Sequence, residues 1–157
     1  MLSKRSTLFR HIFMNIRRAV KGDLLQVMRL WLDMIRETYP ENNPSLDKAF
    51  TGFLNLMDNP AYNMWVADDD GDIVGFVDGF VVDDPIIGKI CGVGMHGYVK
   101  PEHRKSLTGI KLHTTFFEEE IKEHGLKAIK LNCIPSMVPY YEMLGFKQKE
   151  ILMYKEI

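Results

Sequence analysis

The stretch Val99-Lys-Pro-Glu-His-Arg-Lys-Ser-Leu-Thr-Gly109 has the make-up of an anion-binding turn. An apolar run ends at Val99, Pro101 breaks it because proline has no N–H to donate, and helical spacing of apolar residues resumes from Ile110 to Ile121. The turn therefore lies at a helix N-terminus, where the first four backbone N–H groups lack intrahelical acceptors and the macrodipole is positive. Arg104 and Lys105 add charge, and the backbone of Ser106, Leu107, Thr108 and Gly109 can supply N–H groups. A phosphate is the expected guest, with a diphosphate-bearing cofactor as its natural source. Just upstream, His96 is the one imidazole or carboxylate between Ile90 and Val99, and an imidazole, with an intrinsic pKa near 6.5, suits a general base at neutral pH. Alternation places it on one strand face with Tyr98 and opposite Val99. Asp78, Glu37 and Glu41 are the other candidates for that role.

Composition narrows the field. The 157 residues fit one domain, and 46% hydrophobic with 26% charged residues describes an ordinary globular chain with a sizeable core. Twenty Lys and Arg against 21 Asp and Glu give a net charge of −1, so no bulk field favours nucleic acid or an acidic membrane. Cys91 and Cys133 both fall in predicted strands without metal-ligand spacing, which suggests small buried side chains and a reducing compartment. Residues 1–13 are basic and lack the apolar core of a signal peptide, and no apolar run approaches 18 residues. A cytoplasmic protein is expected, with residues 1–13 as a less ordered extension and 14–157 as the domain. The run Asp68-Asp69-Asp70-Gly71-Asp72 lacks the spaced ligands and closing glutamate of a calcium loop, so no metal is expected there.

These residues need elements to position them. Ile16–Val20 reads as a strand, and Asp23 as the cap of a helix carrying Leu24, Val27, Met28, Trp31, Met34 and Ile35. Thr38 to Pro44 breaks that helix, placing Glu37, Tyr39 and Glu41 in a loop that can cover a site, and Ser45 caps a second helix through Met57. Alternation over 62–67 and 73–82 gives a hairpin, followed by a strand from Ile87 to Val99 whose glycines 88, 92, 94 and 97 mark a bulge or close backbone approach. After the helix from Gly109, with Glu118, Glu119, Glu120 and Glu123 on its wet side, come a strand over 127–133, a helix capped by Ser136 and stopped by Gly145, and a last strand over 146–154. The reading is an α/β (α+β) single domain, a mixed central sheet flanked by helices in the order β-α-α-β-β-β-α-β-α-β.

Two separated motifs in this order resemble the GNAT acetyltransferase superfamily over about Asn15 to Ile157. Val99, Pro101, Arg104 and Gly109 fall on its Val-x-Pro strand end and Gln/Arg-x-x-Gly-x-Gly/Ala segment, and Tyr140-Tyr141-Glu142-Met143-Leu144-Gly145-Phe146 is similar to its Phe/Tyr-Tyr-Glu-x-Leu-Gly-Phe segment. Leu107 departs from the pattern where glycine is usual, and if the backbone there needs a positive φ the leucine costs about 1–2 kcal/mol. The resemblance implies an acetyl-CoA-dependent N-acetyltransferase acting on an amine. In that role Tyr141 hydrogen-bonds the cofactor sulfur as general acid, Asn132 contacts the pantetheine arm, and the strand edge at Tyr98 and Val99 pairs with pantetheine amides. Tyr140, about 100° further round the helix, is expected to miss the sulfur. The resemblance also allows a homodimer. The alternative is a binding protein on the same fold that has lost activity, motivated by Leu107 and by the missing strand glutamate. A nucleotide-binding regulator would need a Gly-x-Gly-x-x-Gly or Gly-Lys-Ser/Thr motif, and neither is present.

Overall fold

The structure is a computed structural model that describes residues 14–157, so the expected extension over residues 1–13 lies outside the described part. Its elements are β1 (Asn15–Arg18), α1 (Leu24–Thr38), α2 (Leu46–Met57), β2 (Tyr62–Asp69), β3 (Asp72–Asp84), β4 (Lys89–Val99), α3 (Thr108–His124), β5 (Ala128–Leu131) and α4 (Val138–Met143), with single 3-10 turns before α1, α3 and α4. The strands form one sheet in the order β1-β2-β3-β4-β5, antiparallel except for the parallel β4–β5 pair. The parallel pair follows from α3, which carries the chain back across the sheet between the two strands.

Period-two alternation divides the sheet between two cores. Met64, Val66, Phe76 and Tyr98 pack with Leu24, Val27 and Phe53 of α1 and α2 on one face. Trp65, Ala67, Val77 and Val99 pack with Leu112 and Phe116 of α3 on the other. The β2–β3 turn is the two-residue type expected of a tight hairpin, with Asp70 (φ 54°) and Gly71 (φ 91°) both left-handed. Ser45 caps α2 by accepting from the Lys48 N–H, whereas the Asp23 carboxylate accepts from the Val20 N–H at 2.8 Å and holds Arg17. Arg17 in turn bonds Asp68, tying the first strand to the start of α1 and to β2.

Where the sequence reading differs, the reason is local. The expected strand over 146–154 does not form: residues 144–157 contain neither helix nor strand, Phe146 packs on Phe117 and Tyr141, and Ile151 to Tyr154 are exposed. The alternating pattern had no sheet face to bury. Glu120 is not on the wet side of α3; it is 3% exposed, accepts from the Trp65 indole at 3.1 Å and pairs with Arg18. Burial outweighs those partners and pushes its carboxyl above the usual range. Cys91 is buried as expected, but Cys133 lies past the end of β5 and is exposed. Ser136 lies inside the 3-10 turn Pro135–Met137 and does not cap α4.

Candidate active site

The site is organised by a bulge. Asp78 pairs with His96 and Gly79 with Gly94, so Met95 is an extra residue on β4 that re-aims the strand between Gly94 and His96. Gly79 is required here: a Cβ would sit 2.5 Å from the Val93 carbonyl oxygen. The β4–β5 ladder stops at Gly94 and Leu131, so residues 96–99 have ladder partners only on β3, and the strand edge at Tyr98 and Val99 is not covered by β5.

On the α1–α2 face, Asp78 is 1% exposed and collects three donors: the Tyr62 hydroxyl at 2.5 Å, the His96 backbone N–H at 2.8 Å and His96 Nδ1 at 3.0 Å. A carboxylate can only accept, so Nδ1 carries the proton in the neutral imidazole and Nε2 is left basic. The His96 side chain is 26% exposed, so that nitrogen belongs to a ring that solvent reaches. Burial and then Asp78 raise the Tyr62 phenol far above its ordinary range, keeping it a donor. Tyr98 shares the face, as alternation requires, and donates to Glu37 at 2.6 Å.

Glu37 is in the last turn of α1 and not in the following loop. It takes two bonds from Arg104, at 2.8 and 3.0 Å. Burial pushes its carboxyl up, but the bonds from Tyr98 and Arg104 and the Arg104 charge outweigh this and hold it below the usual range. Arg104 also donates to the Val99 carbonyl at 2.8 Å and lies 5.0 Å from the centre of the Tyr98 ring. Its guanidinium therefore straps the end of β4 to α1. Glu41 and Tyr39 lie in the exposed α1–α2 loop, apart from this cluster.

On the opposite face the turn is built as an N-terminus with no acidic residue in the first turn of α3. Ser106 Oγ donates to the His103 carbonyl, accepts the Thr108 N–H at 3.3 Å, and lies 2.8 Å from the Thr108 hydroxyl. The N–H groups of Gly109 and Ile110 precede Lys111, whose N–H makes the first intrahelical bond, to the Leu107 carbonyl, and Lys105 is exposed beside them. These donors fit a diphosphate. Leu107, the departure from the motif, has φ −76° and ψ 5° and is 63% exposed, so it carries no left-handed strain and the expected penalty does not arise. Asn132 follows β5 and is exposed.

The sequence reading missed His113. It shares a stripe of α3 with Gly109 and Phe117, four residues either way, and that spacing was the available signal. Its ring is 7% exposed and lies so close to β4 that a Cβ at Gly97 would meet Nε2 at 3.1 Å. Nδ1 is 3.0 Å from the Gly109 carbonyl and 2.9 Å from the Tyr140 hydroxyl, and Nε2 is 3.5 Å from the Tyr141 hydroxyl. Burial lowers its pKa against the opposing pull of the Gly109 carbonyl. The two tyrosines of α4 thus converge on one imidazole. Tyr141 is raised to about 12 by burial first and Cys133 second.

The sequence profile of the acetyltransferase (GNAT) domain family matches residues 60–148, more than half of the chain. This protein belongs to that family of acyltransferases. No curated protein matches it in sequence. Among solved structures, an acetyltransferase from Trypanosoma brucei superposes with a TM-score of 0.73 at 19% identity, over 92% of this chain and 99% of the other. An aminoglycoside N-acetyltransferase in complex with CoA gives 0.76 at 17% identity, over 92% and 94%. A ribosomal-protein-alanine N-acetyltransferase from Brucella melitensis gives 0.72 at 18%, over 92% and 99%. These likenesses establish the fold. Among the described residues, no helix is long and apolar enough to cross a membrane and no group of three or more His, Cys, Asp or Glu could hold a metal ion.

Proposed function

We propose that this chain is an acetyl-CoA-dependent N-acetyltransferase acting on an amine, with His96 as general base, Asp78 as its positioning partner and Tyr141 as hydrogen-bond donor to the departing sulfur. The observation that carries the reading is the Asp78–His96 pair, a fully buried carboxylate fixing one nitrogen of an imidazole that solvent reaches. It lies on one face of β4, whereas His113, which Tyr141 contacts, lies against the other. A buried carboxylate without such a task is costly, because its desolvation must be met by bonds such as the three it accepts.

Acetyl-CoA, when bound, supplies an activated acyl carbon and a thiolate leaving group. The backbone N–H groups at Gly109 and Ile110, with Ser106, Leu107 and Thr108 shaping the turn and Arg104 and Lys105 supplying charge, would hold its diphosphate. Asn132 and the open β4 edge at Tyr98 and Val99 would hold the pantetheine amides, a strand-addition mode. His96 Nε2 takes the proton from the ammonium of the acceptor, and the Asp78 charge stabilises the imidazolium so formed. Tyr141 faces a thiol whose intrinsic pKa is about 8.5, so with its own near 12 full proton transfer is uphill by about 5 kcal/mol. It therefore acts by donating to developing charge. Glu37 and Asp78 on the acceptor-side face favour a cationic amine, in keeping with neighbours named as aminoglycoside and alanine acetyltransferases.

The test is a panel of amines with acetyl-CoA, following CoA release and identifying the acylated product by mass spectrometry. Acylation of at least one amine, lost in a His96→Ala variant that still binds acetyl-CoA, is expected. Tight acetyl-CoA binding with no product from any amine would replace the enzyme with a binding protein on the same fold.

A further inference from the structure

The hydroxyls around His113 can be assigned by counting protons. The Gly109 carbonyl can only accept, and it lies 3.0 Å from Nδ1, so Nδ1 carries the ring proton and Nε2 is bare. The Tyr140 oxygen, 2.9 Å from the same Nδ1, is then an acceptor in a shared bond and cannot donate there. Its own proton has no acceptor among the described residues. Tyr141 is in the reverse position, since the bare Nε2 can only take a proton from its hydroxyl, across a long 3.5 Å. One imidazole thus occupies Tyr141's proton weakly and leaves Tyr140's free.

The free hydroxyl lies over the first turn of α3, 3.5 Å from where a Cβ of Gly109 would stand. The cofactor's diphosphate is assigned to this turn by the reading above. Tyr140 is about half buried, and burial, with Tyr141 next, raises its phenol well above the ordinary range, so the proton is retained and available to donate. We infer that Tyr140 is a cofactor-binding residue whose hydroxyl, turned outward by His113 Nδ1–H, donates to the diphosphate of acetyl-CoA. This role is compatible with the sequence expectation that Tyr140 misses the sulfur. His113 is the positioning residue: it sets the direction of both hydroxyls without touching the ligand.

This rests on the acetyl-CoA reading, and the experiment separates the two. Wild type and Tyr140→Phe are titrated calorimetrically with acetyl-CoA and with acetyl-pantetheine, which lacks the diphosphate. Loss of one hydrogen bond to a charged oxygen should raise the Kd for acetyl-CoA about 10- to 100-fold in Tyr140→Phe and leave that for acetyl-pantetheine unchanged. Equal affinity for acetyl-CoA in both proteins would overturn the inference and leave the transferase reading intact. Equal weakening for both ligands would overturn it by placing the hydroxyl on the pantetheine arm. Failure of wild type to bind acetyl-CoA would remove both. Nitrogen-15 NMR of the His113 ring reads the premise directly: a protonated Nε2 would overturn the assignment, and rescue of acetyl-CoA affinity is not expected from any variant that reverses that tautomer.

Discussion

Replacing Asp78 by asparagine removes a charge while preserving shape. In the wild type the carboxylate accepts from Tyr62 Oη, His96 N and His96 Nδ1 at 2.5–3.0 Å. An asparagine oxygen in the place of Oδ1 still receives both His96 donors, and its amide nitrogen meets a Tyr62 hydroxyl that can turn to accept. The buried Tyr62 hydroxyl proton loses its acceptor, at a cost of about 1–3 kcal/mol, so the variant should fold but melt lower. What changes is the support for an imidazolium. A hydrogen bond to a charged group contributes about 1.5–3 kcal/mol against 0.5–1.5 for a neutral pair, and the imidazolium exists only once the amine has lost its proton. The barrier should rise by about 1–2 kcal/mol, a fall in kcat of about 5- to 30-fold. The assay is CoA release at saturating acetyl-CoA with an amine from the panel, beside a thermal melt and acetyl-CoA calorimetry on the same preparation. A kcat within twofold of wild type, with His96→Ala strongly impaired, would show that His96 needs no carboxylate partner. The same kcat with His96→Ala unimpaired would remove both residues from the chemistry.

Three further outcomes are expected. Tyr141→Phe should lower kcat about 10²- to 10⁴-fold with little change in acetyl-CoA Kd, because its contact strengthens only as the carbon–sulfur bond breaks, and a change in Kd alone would contradict this. Arg104→Ala should weaken acetyl-CoA binding by about 1–3 kcal/mol, and Glu37→Gln, by loosening an exposed ion pair worth at most about 1 kcal/mol, should tighten it slightly; calorimetry giving the opposite sign for Glu37→Gln would make the Arg104–Glu37 bond part of the binding-competent state. His113 is held below its ordinary pKa, so the unfolded chain binds the extra proton first, and stability should fall as pH drops below about 6.5 until the folded pKa is reached. Glu120, raised by burial, contributes the opposite slope above about 4.5, where the folded state holds the extra proton. Urea unfolding from pH 7.5 to 5 should therefore show stability falling more steeply, or rising less, in wild type than in His113→Gln, and equal slopes in the two proteins would remove His113 from the pH dependence.

Local chemistry written along the chain determined much of this protein. Pro101, the apolar spacing of α3 and the Gly125 C-cap at φ 63° fix the turn and the helix it starts, because proline and left-handed glycine act within a few residues. Strand alternation put His96 and Tyr98 on one face, and Asn-Pro, Asp-Gly and Ser45 signals set the neighbouring elements. What the chain could not declare is which distant groups share a proton or a charge. The bulge at Met95 sets Asp78 opposite His96, α1 brings Glu37 to Arg104, and α3 brings His113 beneath two tyrosines. Glu120 looked solvated because its helix neighbours are acidic, and it is buried because Trp65 and Arg18 arrive from strands more than fifty residues away. Residues 146–154 alternate as a strand does, yet a strand needs an edge to pair with, and the alternation carries no record of whether one is supplied. Spacing determines the face a side chain occupies; its partners, and hence its protonation and its role, are decided only when the faces meet.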